Sequence, residues 1–503
     1  MSENPGNESA EESLRPRRRW LKWLLAVIGL FLAVYLVVIG RQLTKPLPEG
    51  ISMKGPIHRL EESSIEFLYD LTYENEDDEI VAEQRIFDRI FQMIDQAEEY
   101  ILLDMFLFDT QEDPFRDLSN ELVDKLIQKK NQNPDLRFQI MTDLYNTFYN
   151  SFENEPLARL EEAGIPVGFS DMDRLRDSNF LYSGVWRMFF QPFGLPSAPS
   201  DEGWIEVDGE PCSIRSVLKA LNCKANHRKI LVVDCGEITR SIVTSANPSA
   251  YGSKYSNVAL YFEETSPGIH NDIYESERAI ASYSRMKFTE HEFEGAAGER
   301  VEDGTGGIEA RFVTEGKIRK GLLEEFDSLG EGDSISIAMF LLTEREVIDS
   351  LVSASERGVD IRIVIDPSKY LFGQDSKGVP NRPAMSELHD RTEGKIRVRW
   401  YNTHGEEFHS KMAVIHHSNG KAVVFLGSSN LTRRNIGDFN LEADVQLIAD
   451  DGSEIIREID AYFQRIWENK EGECTLDYDE LKDDSGFRYL KYRVQEQTGL
   501  CAW

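Results

Sequence analysis

Two stretches decide the reading of this chain. One is Asn226-His227-Arg228-Lys229-Ile230-Leu231-Val232-Val233-Asp234, followed by Thr244-Ser245-Ala246-Asn247. The other is Phe408-His409-Ser410-Lys411-Met412-Ala413-Val414-Ile415-His416, followed by Gly427-Ser428-Ser429-Asn430. In each, a His and a Lys stand two residues apart, so on a strand both project from one face. The apolar run behind them has the pattern of a buried strand, which fixes their position. The small residues of the returning turn permit close backbone approach and bring compact hydrogen-bonding groups. A single His-x-Lys pair is an ordinary surface feature; its repetition with the same downstream turn is not.

The repetition extends outward. A helical pattern over 80–97 precedes Leu103-Asp104-Met105-Phe106-Leu107, and one over 318–329 precedes Ile335-Ser336-Ile337-Ala338-Met339-Phe340-Leu341. Each is followed by a helix and an apolar strand ending in aspartate, Arg137-Phe138-Gln139-Ile140-Met141-Thr142-Asp143 and Ile361-Arg362-Ile363-Val364-Ile365-Asp366. Strands alternating with amphipathic helices in a duplicated unit predict an α/β fold of two pseudo-symmetric lobes, each with a mixed sheet sandwiched by helices. The expected organisation is a basic tail (1–20), a transmembrane anchor (21–40), a tether (41–60), a first lobe (61–293), a Gly-rich linker (294–308) and a second lobe with a C-terminal extension (309–503).

The anchor is read from seventeen uncharged residues, Trp23 to Ile39, with no small-residue cleavage site after them. Arg15, Arg17, Arg18, Arg19 and Lys22 precede it; only Arg41 and Lys45 follow closely. That bias places the N-terminus in the cytoplasm and the catalytic body on the extracytoplasmic side of the membrane. The 503 residues carry a net charge of -33. The first 45 hold seven basic and four acidic side chains, which leaves 49 against 85, a net of -36, in the body. Such a field excludes a protein that holds nucleic acid through its overall charge. With 41% hydrophobic residues the chain is neither disordered nor collagen-like. Five cysteines are too few for a disulfide scaffold and lack zinc-ligand spacing, with one bridge, Cys212 to Cys223, open.

Brought together, the two copies place two imidazoles, two ammonium groups and two amides around one point. That is a phosphate site. Lys229, Lys411, Asn247 and Asn430 would hold the non-bridging oxygens, and His227 and His409 would lie on opposite sides of phosphorus.

On these residues the chain resembles the phospholipase D superfamily, whose mark is two copies of H-x-K-x4-D with a G-S-x-N turn downstream. The resemblance covers about residues 60 to 470 and looks most like the bacterial cardiolipin synthase and phosphatidyltransferase branch. It implies that one histidine attacks phosphorus to give a covalent phosphohistidine, while the other protonates the leaving alcohol and then deprotonates the incoming water or alcohol. It implies no metal and no organic cofactor. The usual family order makes His227 the nucleophile, with Asp234, Ser245 and Ser428 as supporting residues. Glu442, twelve residues beyond Asn430, stands where a carboxylate orients a catalytic histidine.

Three positions depart from the pattern. Ala259, twelve residues beyond Asn247, leaves the first histidine without the expected carboxylate, which would exchange the two roles if the buttressed histidine attacks. His416 replaces the aspartate of the second motif and is read as a tolerated scaffold substitution. Thr244 replaces the glycine before Ser245.

Between the first aspartate strand and the first motif lies an aromatic insertion over 180–196, either a lipid-facing entrance or ordinary core or a dimer patch. The anchor and this insertion favour a phospholipid substrate in the bilayer, converted by phosphatidyl transfer. A phospholipase D hydrolase releasing phosphatidic acid is the alternative; a nuclease is the second, against which the acidic body counts.

Overall fold

Along the strand that follows His227, Leu231 and Val233 face one side and Ile230 and Val232 the other, all fully buried. Strands apolar on both faces lie inside layered α/β structures, and each such side chain stabilises the fold by about 1.5–3 kcal/mol when taken out of water. A computed structural model describes residues 8–111, 114–199, 203, 205–207, 209–265, 267–293, 307–371, 374–501 and 503. Its core is two mixed sheets of eight and nine strands.

Seven strands recur in the same order in both sheets. In the first they are Ile65–Glu74, Asn257–Glu264, Thr239–Thr244, Lys229–Asp234, Tyr100–Met105, Arg137–Thr142 and Val167–Phe169. In the second they are Ile308–Thr314, Ala443–Asp450, Lys421–Gly427, Lys411–His417, Ser334–Met339, Asp360–Ile365 and Arg397–Tyr401. The last three of each set run parallel and the other neighbours antiparallel. Ile230 and Val232 share one core with Met412 and Val414, together with helices Ile269–Ser284 and Glu454–Trp467. Helices Ile86–Gln96 and Leu118–Gln132 cover the outer face of the first sheet; Gly316–Ser328, Arg345–Glu356 and Asn381–Arg391 cover that of the second. The duplicated α/β/α arrangement is the one expected.

Local differences have physical causes. The helical pattern over 80–97 resolves into an edge strand, Ile80–Glu83, and a helix, Ile86–Gln96, because Asp70 accepts from the N–H groups of Arg85 and Ile86 and starts the helix there. The stretch 41–60, read as a tether, is structured: the N-terminal helix runs Glu8–Thr44, and His58–Leu60 pairs antiparallel with Ile308–Thr314 at the edge of the second sheet. Gly55 N–H donates to Phe312 O and Thr314 N–H to Met53 O, so the chain leaving the N-terminal helix is joined to the second lobe before it enters the first. The linker read over 294–308 lies, across 294–306, outside the described residues. All five cysteines are free, so no Cys212–Cys223 bridge forms.

Residues Trp20–Thr44 form a helix long and apolar enough to cross a membrane. The aromatic insertion docks on it. Helix Phe180–Phe189 lies against this apolar helix, with Tyr35 Oη donating to Leu181 O at 2.6 Å and Phe31 stacked 5.9 Å from Phe189. A Cβ on Gly184 would meet the Tyr35 ring at 2.7 Å and Ile39 at 2.9 Å, so glycine permits this close approach.

Candidate active site

Each His-x-Lys pair begins one of the two central strands, and the same contacts recur around both. Phe106 lies 5.2 Å from His227 and 5.3 Å from the Lys229 ammonium; Phe340 lies 5.1 Å from both His409 and the Lys411 ammonium. Lys229 Nζ donates to His227 O at 2.6 Å and Lys411 Nζ to His409 O at 2.8 Å. The strand-end aspartates accept from the backbone just before each histidine: Asp143 from Asn226 N–H at 2.7 Å and Asp366 from Phe408 N–H at 2.8 Å. Burial raises their pKa values to about 6 and about 7.

The two imidazoles face each other across the lobes, ring centroids 6.5 Å apart at 72°. That separation accommodates one tetrahedral phosphorus at about 3–3.5 Å from an attacking nitrogen. Both rings are buried, as are the ammonium groups of Lys229 and Lys411.

The orienting contacts cross between lobes. His227 Nδ1 lies 3.0 Å from Glu442 Oε2, and the carboxylate also accepts from Ser428 Oγ at 2.6 Å and from Asn435 Nδ2. His409 Nδ1 lies 3.0 Å from Asn257 Oδ1, which accepts from Ser245 Oγ at 3.0 Å while Asn257 Nδ2 donates to Tyr255 O. The expected absence of a carboxylate for the first histidine is therefore corrected: Glu442, just before strand Ala443–Asp450 of the second lobe, serves His227. Its structural counterpart is Asn257, since Ser428 contacts Glu442 as Ser245 contacts Asn257. The loop after Asn247 is two residues shorter than the loop after Asn430, so counting twelve onward reaches Ala259 instead.

Ala259 is the counterpart of Asp444. Thr244 pairs with Ala259 and Gly427 with Asp444. A Cβ on Gly427 would lie 2.5 Å from the Asp444 carboxylate. Asp444 accepts from Ser429 N–H at 3.1 Å; in the first lobe Thr244 Oγ1 accepts from Ala246 N–H at 3.0 Å. The missing glycine and the missing acid are one exchange of volume and acceptor between facing strands.

His416 lies away from the histidine pair and makes ion pairs with Asp451 (2.9 Å) and Asp460 (3.0 Å), whose hydrogen bonds raise its pKa. At the matching strand position Asp234 contacts His291 at 2.6 Å. An acid–imidazole pair is kept in both lobes with its members exchanged.

Electrostatically the site is governed by burial and by its two lysines. Burial, then Lys229 and Lys411, hold His227 well below its usual range, against a main-chain hydrogen bond to Ser428. His409 is lowered by burial, Lys411, Lys229 and His227, against a main-chain hydrogen bond to Ser245. Burial lowers Lys229 to about 7 and, with Lys229, pushes Lys411 well down; it raises Glu442 to about 7. Asn247 and Asn430 each keep a buried amide oxygen without a hydrogen-bond partner. The ammonium groups of Lys229 and Lys411 each give one hydrogen bond to a main-chain carbonyl and keep further N–H donors, which suits an anionic group between them.

Among known proteins, residues 326–467 match the family model described as cardiolipin synthase, PLD-like domain. That stretch of the second lobe is a phospholipase D-like domain. No curated protein matches the chain in sequence. Its fold is similar to phosphatidylserine synthase from Haemophilus influenzae Rd KW20, at 12% identity over 88% of this chain and 94% of that one, with a TM-score of 0.51. Polyphosphate kinase from Porphyromonas gingivalis matches at 15% identity over 86% of this chain and 53% of that one, TM-score 0.47. Nuc, a phospholipase D family member from Salmonella typhimurium, matches at 22% identity over 34% of this chain and 98% of that one, TM-score 0.26. At these identities the likeness is one of fold.

Sequence reasoning missed Asn257, whose signal is its place twelve residues after Ser245 against fourteen from Ser428 to Glu442. It also missed Phe106 and Phe340, the residues just beyond the paired strands Tyr100–Met105 and Ser334–Met339.

Proposed function

We propose that this enzyme is a phosphatidyltransferase acting on bilayer phospholipids, cardiolipin synthase-like, moving a phosphatidyl group from one phosphatidylglycerol to another. The observation that carries the phosphodiester chemistry is the facing pair His227 and His409, 6.5 Å apart, with the buried ammonium groups of Lys229 and Lys411 acting on both.

His227 attacks phosphorus. With Nδ1–H donating to Glu442, its Nε2 carries the lone pair, and the carboxylate stabilises the positive charge that grows on the ring as the N–P bond forms. His409 carries the other proton. Its Nδ1 partner is the neutral Asn257 amide, which orients the ring without stabilising an imidazolium, and a less stabilised cation is the better acid. His409 protonates the departing glycerol oxygen, then accepts the proton of the incoming lipid hydroxyl as that oxygen displaces His227. Lys229, Lys411, Asn247 and Asn430 hold the non-bridging oxygens. Arrival of the phosphodiester anion reverses the depression of the lysine and histidine pKa values.

The lipid assignment is supported by the anchor lying on helix Phe180–Phe189. The insertion is joined to the first motif: Asp177 forms ion pairs with Arg187 of that helix and with Lys224, three residues before His227. The apolar insertion then sits at bilayer level beside the site, with the N-terminus cytoplasmic and the body extracytoplasmic.

The test is mass spectrometry of products from phosphatidylglycerol vesicles treated with the full-length protein, beside His227→Ala and His409→Ala. Cardiolipin and glycerol, absent with both variants, are expected. Phosphatidic acid alone would make the enzyme a hydrolase, and unchanged lipid would overturn phosphatidylglycerol as the donor.

A further inference from the structure

Arg228 stands between His227 and Lys229 and points to the opposite side of the strand, where its side chain is fully buried. Its Nη1 donates to Ser276 Oγ at 2.8 Å and Glu277 Oε1 at 2.7 Å, and its Nη2 donates to Glu315 Oε1 at 2.6 Å. A guanidinium taken out of water is tolerated only with such partners.

Glu315 belongs to the other lobe and is itself fully buried. Its backbone is left-handed, with φ of 45°, a conformation that costs a non-glycine residue free energy and that surrounding contacts must maintain. It precedes helix Gly316–Ser328, yet its side chain does not cap that helix. Instead Oε1 accepts a second hydrogen bond, from Glu442 N–H at 3.1 Å, and Oε2 accepts from Ser52 N–H at 2.8 Å.

One carboxylate thus gathers three segments: the first His-x-Lys motif, the backbone of the acid that orients His227, and the chain leaving the anchor. Ile51, the neighbour of Ser52, packs in the same small cluster as Leu441, the neighbour of Glu442. The repeat does not account for this. At the position of Arg228 the second motif has Ser410, which hydrogen-bonds with Tyr462 and with Ser256 O. Among the described residues the motif's buried ion pair exists on the His227 side only.

We infer that Glu315 is a positioning residue for the reaction: through Arg228 and the Glu442 amide it sets the His227–Glu442 pair, and through Ser52 it ties that pair to the membrane-proximal chain. This rests on the reading of His227 as nucleophile. Glu315→Gln keeps the shape but turns an amide donor toward donors that now meet a carboxylate. The loss should appear in the chemical step and not in substrate binding.

The experiment uses full-length protein in detergent, with bis(p-nitrophenyl) phosphate as a soluble probe. Wild type, Glu315→Gln, Arg228→Lys and His227→Ala are compared for kcat, KM, the pH profile of kcat and thermal melting. At least a tenfold fall in kcat is expected for Glu315→Gln and for Arg228→Lys, with KM within about twofold and a displaced pH profile. Wild-type kcat and an unmoved profile for the folded variants, even with a lowered melting temperature, would reduce Glu315 to a purely structural residue and overturn the proposal. Should Glu315→Gln fail to fold, Arg228→Lys decides by the same criteria. Activity surviving in His227→Ala would instead overturn the underlying reading, a result visible without either positioning variant.

Discussion

His227 Nδ1 lies 3.0 Å from Oε2 of Glu442, a carboxylate 215 residues away in the other lobe, while His409 Nδ1 lies 3.0 Å from an amide oxygen of Asn257. Each histidine is held by the lobe it does not belong to. The site therefore exists only when the two lobes are together, and its two halves are chemically unequal despite equal geometry.

The inequality is testable by exchanging the partners' charge. Glu442→Gln keeps a hydrogen-bond acceptor but removes the charge that stabilises an imidazolium at His227, so kcat should fall by about 10²-fold or more with little change in KM. Asn257→Asp adds a carboxylate behind His409, which should raise the pKa of that histidine and move the corresponding limb of the pH–rate profile upward. Initial rates across pH check both. Equal and small losses from the two substitutions would mean that the asymmetry has no catalytic part.

The pH dependence of the unmodified enzyme follows from Lys229. Burial brings its pKa to about 7, so the free enzyme loses that positive charge as pH rises through about 7, not near the 10.4 of an exposed lysine. Because kcat/KM reports the free enzyme, it should fall above pH of about 7. A bound phosphodiester anion favours the ammonium form, so kcat should hold to higher pH. Profiles of both parameters, repeated with Lys229→Arg, check this; a kcat/KM that stays level to about pH 9 would contradict it.

Much of this was legible in the primary structure. Period-two spacing put His227 with Lys229 and His409 with Lys411 on common faces, and duplication of the surrounding strands gave the two-lobe fold. The crossing of Glu442 to His227 was not legible, because the pattern inside each repeat says nothing about which lobe supplies a contact. The Asn257 counterpart was hidden by a loop shorter by two residues. The pairing of residues 52–60 with the second sheet was hidden as well, since so short an edge segment carries too little apolar alternation to declare a strand.

The Thr244–Ala259 exchange makes a stability prediction. Ala259→Asp alone drives a carboxylate against Thr244 in a buried strand pair, at a cost of about 3 kcal/mol or more. Thr244→Gly alone removes the acceptor of Ala246 N–H and adds chain entropy to the unfolded state, about 1–2 kcal/mol. Together they rebuild the Gly427–Asp444 arrangement, so the double variant should be less destabilised than the sum by about 1–2 kcal/mol. Urea denaturation of the four proteins gives the coupling energy; simple additivity would refute the exchange.

The last prediction concerns the membrane. Gly184 is where the insertion helix meets the anchor, and any larger side chain there collides with Tyr35 and Ile39. Gly184→Leu should push the anchor off helix Phe180–Phe189 and tilt the site away from the lipid surface, while leaving the histidine pair intact. Turnover of phosphatidylglycerol in vesicles should fall about tenfold, and turnover of a soluble phosphodiester should not change. Phe193→Ser, on a residue 72% exposed and outside the glycine contact, separates loss of docking from loss of apolar surface. If Gly184→Leu lowered both activities together, the contact would support the fold of the site and not its approach to the bilayer. If neither fell, the anchor would be only a leash, and the ordered path from Tyr35 through Ser52 to Glu315 would have no bearing on how lipid reaches His227.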